Sequence, residues 1–467
     1  MIFNRLQSNV LFQYADLLYR IADVKRSEKL DRVPLDFLRR KRFEALLHHV
    51  FKHSAFYNDL YRSKGITPDN IPDIRLEDLP IIDKQMMMDN YDSFVCDKTL
   101  QQNKLEEFIT NPDNLGKKYK GRYQVIHTSG STGHIGLFVY DMRSWNITKA
   151  MAITRVSKAK LNPFKKIKLA FIGATDGHYA GISLSSDAPK LFYDFRRFSV
   201  NKPMQDTLEE ITKFDPNSIC GYASGVYLLA HEQLENNLNI KPKSIICSAD
   251  QLTDTMRLNI IKAFGINPRN FYAASESLCM AAECHNHHGL HLFEDWHYYE
   301  VVDSEFQSVD AGVPGSLLLT TLHNYAQPLI RYQLHDEIVL DPKLCDCGRS
   351  TAMIKRISGR SEEFLWFKLP DGKDEYIHPL QIVEFFIPGL EKFQIEQTNK
   401  NHIHMRILAK NDVEFIRQKA SERMHEILSQ KNLHNTVTFS SEIVEHIPLD
   451  VKTGKYKLIL PYKDFTH

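Results

Sequence analysis

The sequence predicts an α/β protein in two parts: a large N-terminal domain of layered helices and sheets over residues 1–358, and a small mobile α+β domain over residues 359–467. Three observations carry this expectation. At 467 residues the chain exceeds a comfortable single core, since cores stop growing at about 250–300 residues. From about residue 120, short apolar runs alternate with helix-like stretches, the pattern of a partly parallel sheet covered by helices. At Ser358-Gly-Arg360 a glycine precedes a charged turn, and a fresh pattern of strands and one long helix begins.

Up to about residue 120 the periodicity is helical. The run from Val10 to Tyr19, broken by Gln13 and Asp16, reads as an amphipathic helix that packs on the protein's own core rather than on a membrane surface. Phe43-Glu-Ala-Leu-Leu-His-His-Val-Phe51 repeats apolar residues at helical spacing, and Pro68, Asp69 and Pro80 punctuate the stretch after it. Tyr123-Gln-Val-Ile126 is a short strand. Further on, Lys168-Leu-Ala-Phe-Ile172 reads as a strand, residues 224–236 as a helix and Ser244-Ile-Ile-Cys247 as a strand. Val313-Pro-Gly315 makes a turn into the strand Ser316-Leu-Leu-Leu-Thr-Thr321. In the second part, His402-Ile-His-Met-Arg-Ile-Leu408 is a strand and residues 413–430 a helix.

Composition narrows the function. Hydrophobic content of 43% and charged content of 25% are those of a folded globular protein. With 59 basic against 58 acidic residues, no global field favours nucleic acid or a membrane, so small molecules are the expected partners. No window approaches the roughly 18 apolar residues of a membrane span, and the first residues lack a cleavage pattern. The expectation is a cytoplasmic protein without a transmembrane segment. Seven cysteines, an odd number, argue against a disulfide framework; Cys96, Cys220, Cys247 and Cys279 read as small apolar packing residues.

Chemistry concentrates in His127-Thr-Ser-Gly-Ser-Thr-Gly133, directly after the strand at 123–126. Small residues there let backbone N–H groups and hydroxyls close around the phosphates of a nucleotide. The run is neither a Walker A loop nor a dinucleotide fingerprint. Four segments come after it in the chain: Tyr272-Ala-Ala-Ser-Glu276, Arg331-Tyr-Gln-Leu-His-Asp336, Gly359-Arg-Ser-Glu-Glu363 and Lys452-Thr-Gly-Lys455.

In this order the motifs resemble those of the adenylate-forming superfamily of acyl-CoA synthetases and adenylation domains, on the phenylacetate–coenzyme A ligase branch with its capsule-biosynthesis relatives. The resemblance runs from about Phe43 to the C-terminus. It implies ATP-dependent activation of a carboxylic acid, aromatic acids included, to an acyl-adenylate, then transfer to coenzyme A. Such chemistry needs donors on the phosphates, a Mg²⁺ ligand, a ribose anchor and a cation at the developing charge. By resemblance, Thr128, Ser129, Gly130, Ser131, Thr132 and Gly133 grip the phosphates, with Thr128 at the reacting groups. Glu276, in Ser275-Glu276, holds Mg²⁺, and Tyr272 lies against adenine. Asp336 and Arg360 take the ribose. Asp250, in Ser248-Ala-Asp250, is the adenine-side acid or a helix cap. Glu362 is the hinge, and Lys455 reaches the site for adenylation. The chain departs from the family at His134-Ile135, where relatives carry Lys-Pro; this weakens the pyrophosphate clamp or makes it pH-dependent through His134.

Cys284-His-Asn-His-His-Gly-Leu-His291 and Cys345-Asp-Cys347 supply three thiolates and several imidazoles, a donor set suited to structural Zn²⁺. Cys284, His291, Cys345 and Cys347 are the chosen ligands, with His285, His287 and His288 as rivals for the imidazole. The stretches 171–179 and 221–225, with His178, Tyr222 and Ala223, border the acyl group in relatives, where small residues make room for it. Three outcomes stay open: transfer to coenzyme A, transfer to an amine or carrier protein, and a non-catalytic zinc-binding scaffold of the same fold. A homodimer is open too.

Overall fold

The computed structural model describes residues 10–128, 136–358, 364–372, 374–383, 387, 389–409, 412–448 and 457–462. The strands are β1 Gln124–His127, β2 Leu137–Tyr140, β3 Ile167–Gly173, β4 Tyr193–Ser199, β5 Ser218–Tyr222, β6 Ser244–Ser248, β7 Arg269–Tyr272, β8 Ala281–Glu283, β9 Leu290–Leu292, β10 His297–Val302, β11 Pro314–Thr321, β12 Tyr332–Leu340 and β13 Met353–Ser358. β1 and β2 form an antiparallel pair. The others make one eleven-stranded sheet in the order β10-β11-β12-β13-β9-β8-β7-β6-β5-β3-β4. From β4 to β7 the pairing is parallel, and from β7 to β10 antiparallel.

Alternation sorts the parallel strands between two faces. Ala170, Ile172, Ile219, Ile245 and Cys247 face one core with Leu208, Ile211, Val226, Leu229 and Ile260 of the helices Met204–Phe214, Ala223–Leu234 and Asp254–Phe264. The opposite face carries two smaller clusters, one around Ile153, Ile246 and Phe271, the other around Leu169, Phe192 and Tyr193. A third core joins the helices Arg32–His53 and Ala55–Arg62 to β1, β2 and the antiparallel strands.

The helix Val10–Ser27 buries Leu17, Ile21 and Val24 on the protein itself, as its apolar stripe predicts. A buried ion pair fastens it: Arg155 donates to both oxygens of Asp295 at 2.7 and 2.8 Å, and Ser27 Oγ donates to the same carboxylate at 2.6 Å. Among the described residues, no helix is long and apolar enough to cross a membrane.

The C-terminal domain has its own core, drawn from Leu365 onward. β14 Leu365–Lys368 pairs with β15 Asp374–Ile377. β16 Leu390–Asn399, β17 His402–Ala409, β18 Thr438–Ile443 and β19 Ile459–Leu460 form a sheet in the order β18-β17-β16-β19. The helix Val413–Gln430 lays Ile416, Ala420, Met424 and Ile427 on that core; their spacing of three and four keeps them on one stripe. This domain meets the larger one at His378, whose Nε2 lies 2.6 Å from Ser224 Oγ, and at the buried Lys431, which donates to Lys202 O at 3.0 Å and Glu375 at 3.3 Å.

Candidate active site

Parallel α/β sheets offer ligands a crevice at the carboxyl ends of their strands, and the described candidates for nucleotide chemistry gather there. β1 ends at His127, whose N–H donates to His178 O at 3.1 Å, tying this strand to the loop after β3. Thr128 then turns the chain: its N–H donates to Gly136 O at 3.0 Å and its Oγ1 accepts from Gly136 N at 2.8 Å. Thr128 and Gly136 thus form the neck of the loop. Ser129, Gly130, Ser131, Thr132 and Gly133, with His134 and Ile135, lie outside the described residues.

A lysine that the motif reading missed stands at this neck. Lys84 Nζ donates to Thr128 Oγ1 at 3.2 Å. Its position comes from the segment before it: Ile82 bridges to Tyr332 of β12, with Ile82 N donating to Arg331 O at 3.1 Å and Gln333 N to Ile82 O at 2.9 Å. Asp83 then caps a short helix by accepting from Met86 N at 2.7 Å. Gly136 leaves the room, since a Cβ there would sit 3.0 Å from Lys84 Cε. Forty-odd residues separate Lys84 from the loop, so no local spacing could announce the pairing.

Tyr272 ends β7 and Asp336 sits within β12. The Tyr272 hydroxyl donates to Asp336 Oδ2 at 2.6 Å, so the expected adenine-side ring and ribose anchor meet directly. Burial, then the neighbouring carboxylate, holds the phenol well above its ordinary pKa, which keeps it a donor. Glu276 is next on the same loop; Ser275 O accepts from Tyr140 OH at 2.8 Å and fixes its backbone. Burial pushes the Glu276 carboxyl up to about 7; the Lys84 charge pulls it down and Asp336 pushes it further up. A carboxylate so poised is relieved by any cation brought beside it.

Asp250 is engaged elsewhere. Its Oδ1 accepts from Ala223 N at 2.5 Å and its Oδ2 from Ser224 N at 3.1 Å. The carboxylate therefore caps the helix Ala223–Leu234, not the one next to it in sequence, where Thr253 accepts from Met256 N. Burial raises this carboxyl to about 6 against the pull of those N–H groups. What it does here is fix the backbone of Ala223 and Ser224 at the start of that helix. Gly221, just before, has φ +151 and an added Cβ would lie 2.0 Å from Ile172 O; glycine serves close strand packing there rather than room for a ligand.

His178 is 2% exposed, and its Nε2 has no hydrogen-bond partner among the described residues. Burial, with His127 beside it, drives its pKa down to about 4, leaving a neutral imidazole. Its ring packs 5.2 Å from Phe108, and that of Tyr222 lies 6.1 Å from Phe171. Arg360, Glu362 and Lys455 lie outside the described residues.

The cysteine and histidine candidates also converge. Single donor atoms of Cys284, His291, Cys345 and Cys347 all lie within 4.8 Å of one another, with Cys284 Sγ 3.7 Å from Cys345 Sγ and Cys347 Sγ 3.4 Å from His291 Nε2. A tetrahedron with bonds of about 2.3 Å has edges near 3.8 Å, so the set fits a Zn²⁺ ion. His291 Nδ1 lies 3.3 Å from Thr351 Oγ1, which turns Nε2 to the sulfurs. The rival His287 instead faces Glu283 at 2.9 Å. All seven cysteines are free thiols.

No protein-family model matches the chain. It is 26% identical over 337 residues to the protein CapK of Staphylococcus aureus, covering 70% of this chain and 68% of that one. It is 25% identical over 370 residues to a phenylacetate-coenzyme A ligase of Thermus thermophilus, covering 77% of each. Among solved structures, 2-hydroxyisobutyryl-CoA ligase in complex with 2-HIB-AMP and CoA, in the thioesterification state, superposes with a TM-score of 0.62 at 18% identity over 94% of this chain and 91% of that one. The chain is thus similar in sequence to phenylacetate-coenzyme A ligases and CapK, and it has the fold of adenylate-forming acyl-CoA ligases.

Proposed function

We propose that this chain is an AMP-forming acid–thiol ligase: it activates a carboxylic acid with ATP to an acyl-adenylate, releasing pyrophosphate, and passes the acyl group to coenzyme A. The observation that carries this reading is the gathering of Lys84, Thr128, Tyr272, Glu276 and Asp336 at one edge of the sheet. The similarity to ligases that make phenylacetyl-coenzyme A supports it.

In this reading the acid's carboxylate attacks the α-phosphate, and charge develops on the phosphate oxygens. Thr128 and the loop it opens donate to them, and Lys84 supplies the cation that the missing Lys-Pro dipeptide would otherwise bring. Tyr272 packs against adenine and keeps Asp336 aimed at the ribose hydroxyls. Glu276 would hold Mg²⁺, a hard ion suited to a carboxylate; bound there, the ion would neutralise phosphate charge. Asp250 fixes the helix start at Ala223 and Ser224, and Tyr222 and Ala223 with the neutral His178 line the acyl side.

The motif resemblance adds Arg360 on the ribose, Glu362 as the hinge of a boundary at residues 358/359, and Lys455 as the adenylation lysine of a domain that moves between half-reactions. Cys284, His291, Cys345 and Cys347 would hold Zn²⁺ and tie the β8–β9 connection to the β12–β13 loop, with no part in the chemistry. Seven free thiols suit a reducing compartment such as the cytoplasm. Exchange of labelled pyrophosphate into ATP across a panel of carboxylic acids tests the first half-reaction. Mass analysis of the product with coenzyme A, an amine or a carrier protein tests the second: thioester of coenzyme A is expected, and amide in its place overturns that choice of acceptor.

A further inference from the structure

The face of the parallel sheet opposite its main core is not filled. Between its two small clusters lies a cavity of about 1070 Å³, above the range of about 300–1,000 Å³ usual for small-molecule sites. Its floor is one side of each strand: Leu169 and Phe171 from β3, Cys220 from β5, Ile246 from β6 and Phe271 from β7. Its roof includes the π-helical turn Ala152–Ser157, which ends the helix Met142–Met151.

The cavity has two unlike ends. The inner end reaches Gly221 and Ser248, one residue before Tyr222 and two before the helix-capping Asp250, so it lies beside the Tyr222 segment on the proposed acyl side. The outer end opens about 13 Å back along the strands, at about 3.3 Å per residue from 217 to 221. There the walls carry charge of one sign. Seven basic residues line the cavity, Lys158, Lys160, Lys165, Lys166 and Lys243 among them, and among the described residues not one Asp or Glu does. In a chain of net charge +1 this is a marked local asymmetry, and Phe164 stands at the same mouth 97% exposed.

We infer that the cavity holds the acyl group, and that the acid is a long aliphatic chain with a second anionic group at its far end, such as an α,ω-dicarboxylic acid. The inference rests on the acid-activating reading and names its substrate class. One carboxylate sits at the adenylation site, the methylenes run over Phe171, Cys220 and Ile246, and the distal anion meets the lysines. A compact acid such as phenylacetate leaves most of the volume unused. An alkyl chain also needs no hydrogen-bond partner along its length, whereas the amides of a pantetheine arm do.

The test is displacement of anilinonaphthalene sulfonate, an apolar anionic dye, from the full-length protein, run beside pyrophosphate exchange with the same acids. Dodecanedioate is expected to displace the dye at a concentration at least about tenfold lower than phenylacetate, with affinity rising about fourfold per added methylene in shorter homologues. Replacing Lys160, Lys165 and Lys166 by Gln is expected to weaken dodecanedioate about fivefold and leave dodecanoate unchanged. Plugging the floor with Cys220→Trp, or with Ser244→Phe should the first variant fold poorly, removes displacement and exchange by long acids. Equal displacement by phenylacetate and dodecanedioate overturns the inference, as does competition by coenzyme A that the lysine variant weakens. Tight displacement without exchange by any acid overturns the adenylation reading and leaves the cavity's ligand class standing. Exchange with small acids, untouched by either plug, does the reverse.

Discussion

Lys84 is the residue on which the site's electrostatics turn. It contacts Thr128 and lowers the cost of ionising Glu276, so one side chain serves both the proposed phosphate loop and the expected metal ligand. Lys84→Ala is predicted to cut pyrophosphate exchange about 10²–10³-fold with the melting temperature unchanged, measured by exchange kinetics and calorimetry. An undiminished rate would assign the phosphate contact to other groups. Glu276 sets a pH dependence. With its carboxyl pushed up to about 7, the protonated form competes with Mg²⁺, so affinity for Mg²⁺ is predicted to fall about tenfold per pH unit below 7. Titration of Mg²⁺ at pH 6 and pH 8 checks this, and Glu276→Gln should flatten the profile. The residue scale is also where the sequence is least legible. Tyr272 and Asp336 could be read because each sits in a motif. Lys84 could not, because its place depends on Ile82 pairing with β12, a contact between segments some 250 residues apart. Asp250 was legible only as two alternatives, a ligand-side acid or a cap, and the helix it caps begins 27 positions earlier.

At the scale of elements, periodicity was a reliable guide. The strand at 402–408 and the helix at 413–430 stand within a residue of where alternation and apolar spacing put them. β1 begins one residue later than expected, because Tyr123 pairs with Tyr119 outside the strand. Strand order was not legible, since the crossing from parallel to antiparallel at β7 is decided by tertiary pairing. Two connections between elements yield predictions. The helix Val10–Ser27 is held through Asp295, whose carboxyl the buried Arg155 keeps down at about 2 despite burial. A carboxyl depressed below its unfolded value near 3.9 adds stability that is present above that pH and lost as pH falls toward about 2. Asp295→Asn is therefore predicted to cost about 2–3 kcal/mol at pH 7 and nothing near pH 2, read from denaturant unfolding. The cluster of Cys284, His291, Cys345 and Cys347 links β8–β9 to β12–β13. Purified protein should carry one equivalent of zinc, and a chelator should lower its melting temperature; less than about half an equivalent would reject the site.

At the scale of the whole molecule, the sheet divides the labour. Its carboxyl edge gathers the candidate nucleotide groups, one face is packed solid with helices, and the other keeps a cavity that ends beside Tyr222. The C-terminal domain, with its own core, rests on this body through the His378 and Lys431 contacts. If it carries the adenylation lysine, Lys455→Ala should abolish acyl-adenylate formation yet spare thioester formation from supplied acyl-adenylate; equal loss of both steps would reject that role. The claim on which the rest depends is that this edge of the sheet adenylates a carboxylic acid. Acid-dependent exchange of labelled pyrophosphate into ATP measures it most directly. The prediction is exchange that requires both Mg²⁺ and a carboxylic acid and that falls at least about a hundredfold in Lys84→Ala and Asp336→Asn. ATP binding without exchange, for every acid in the panel, would contradict it.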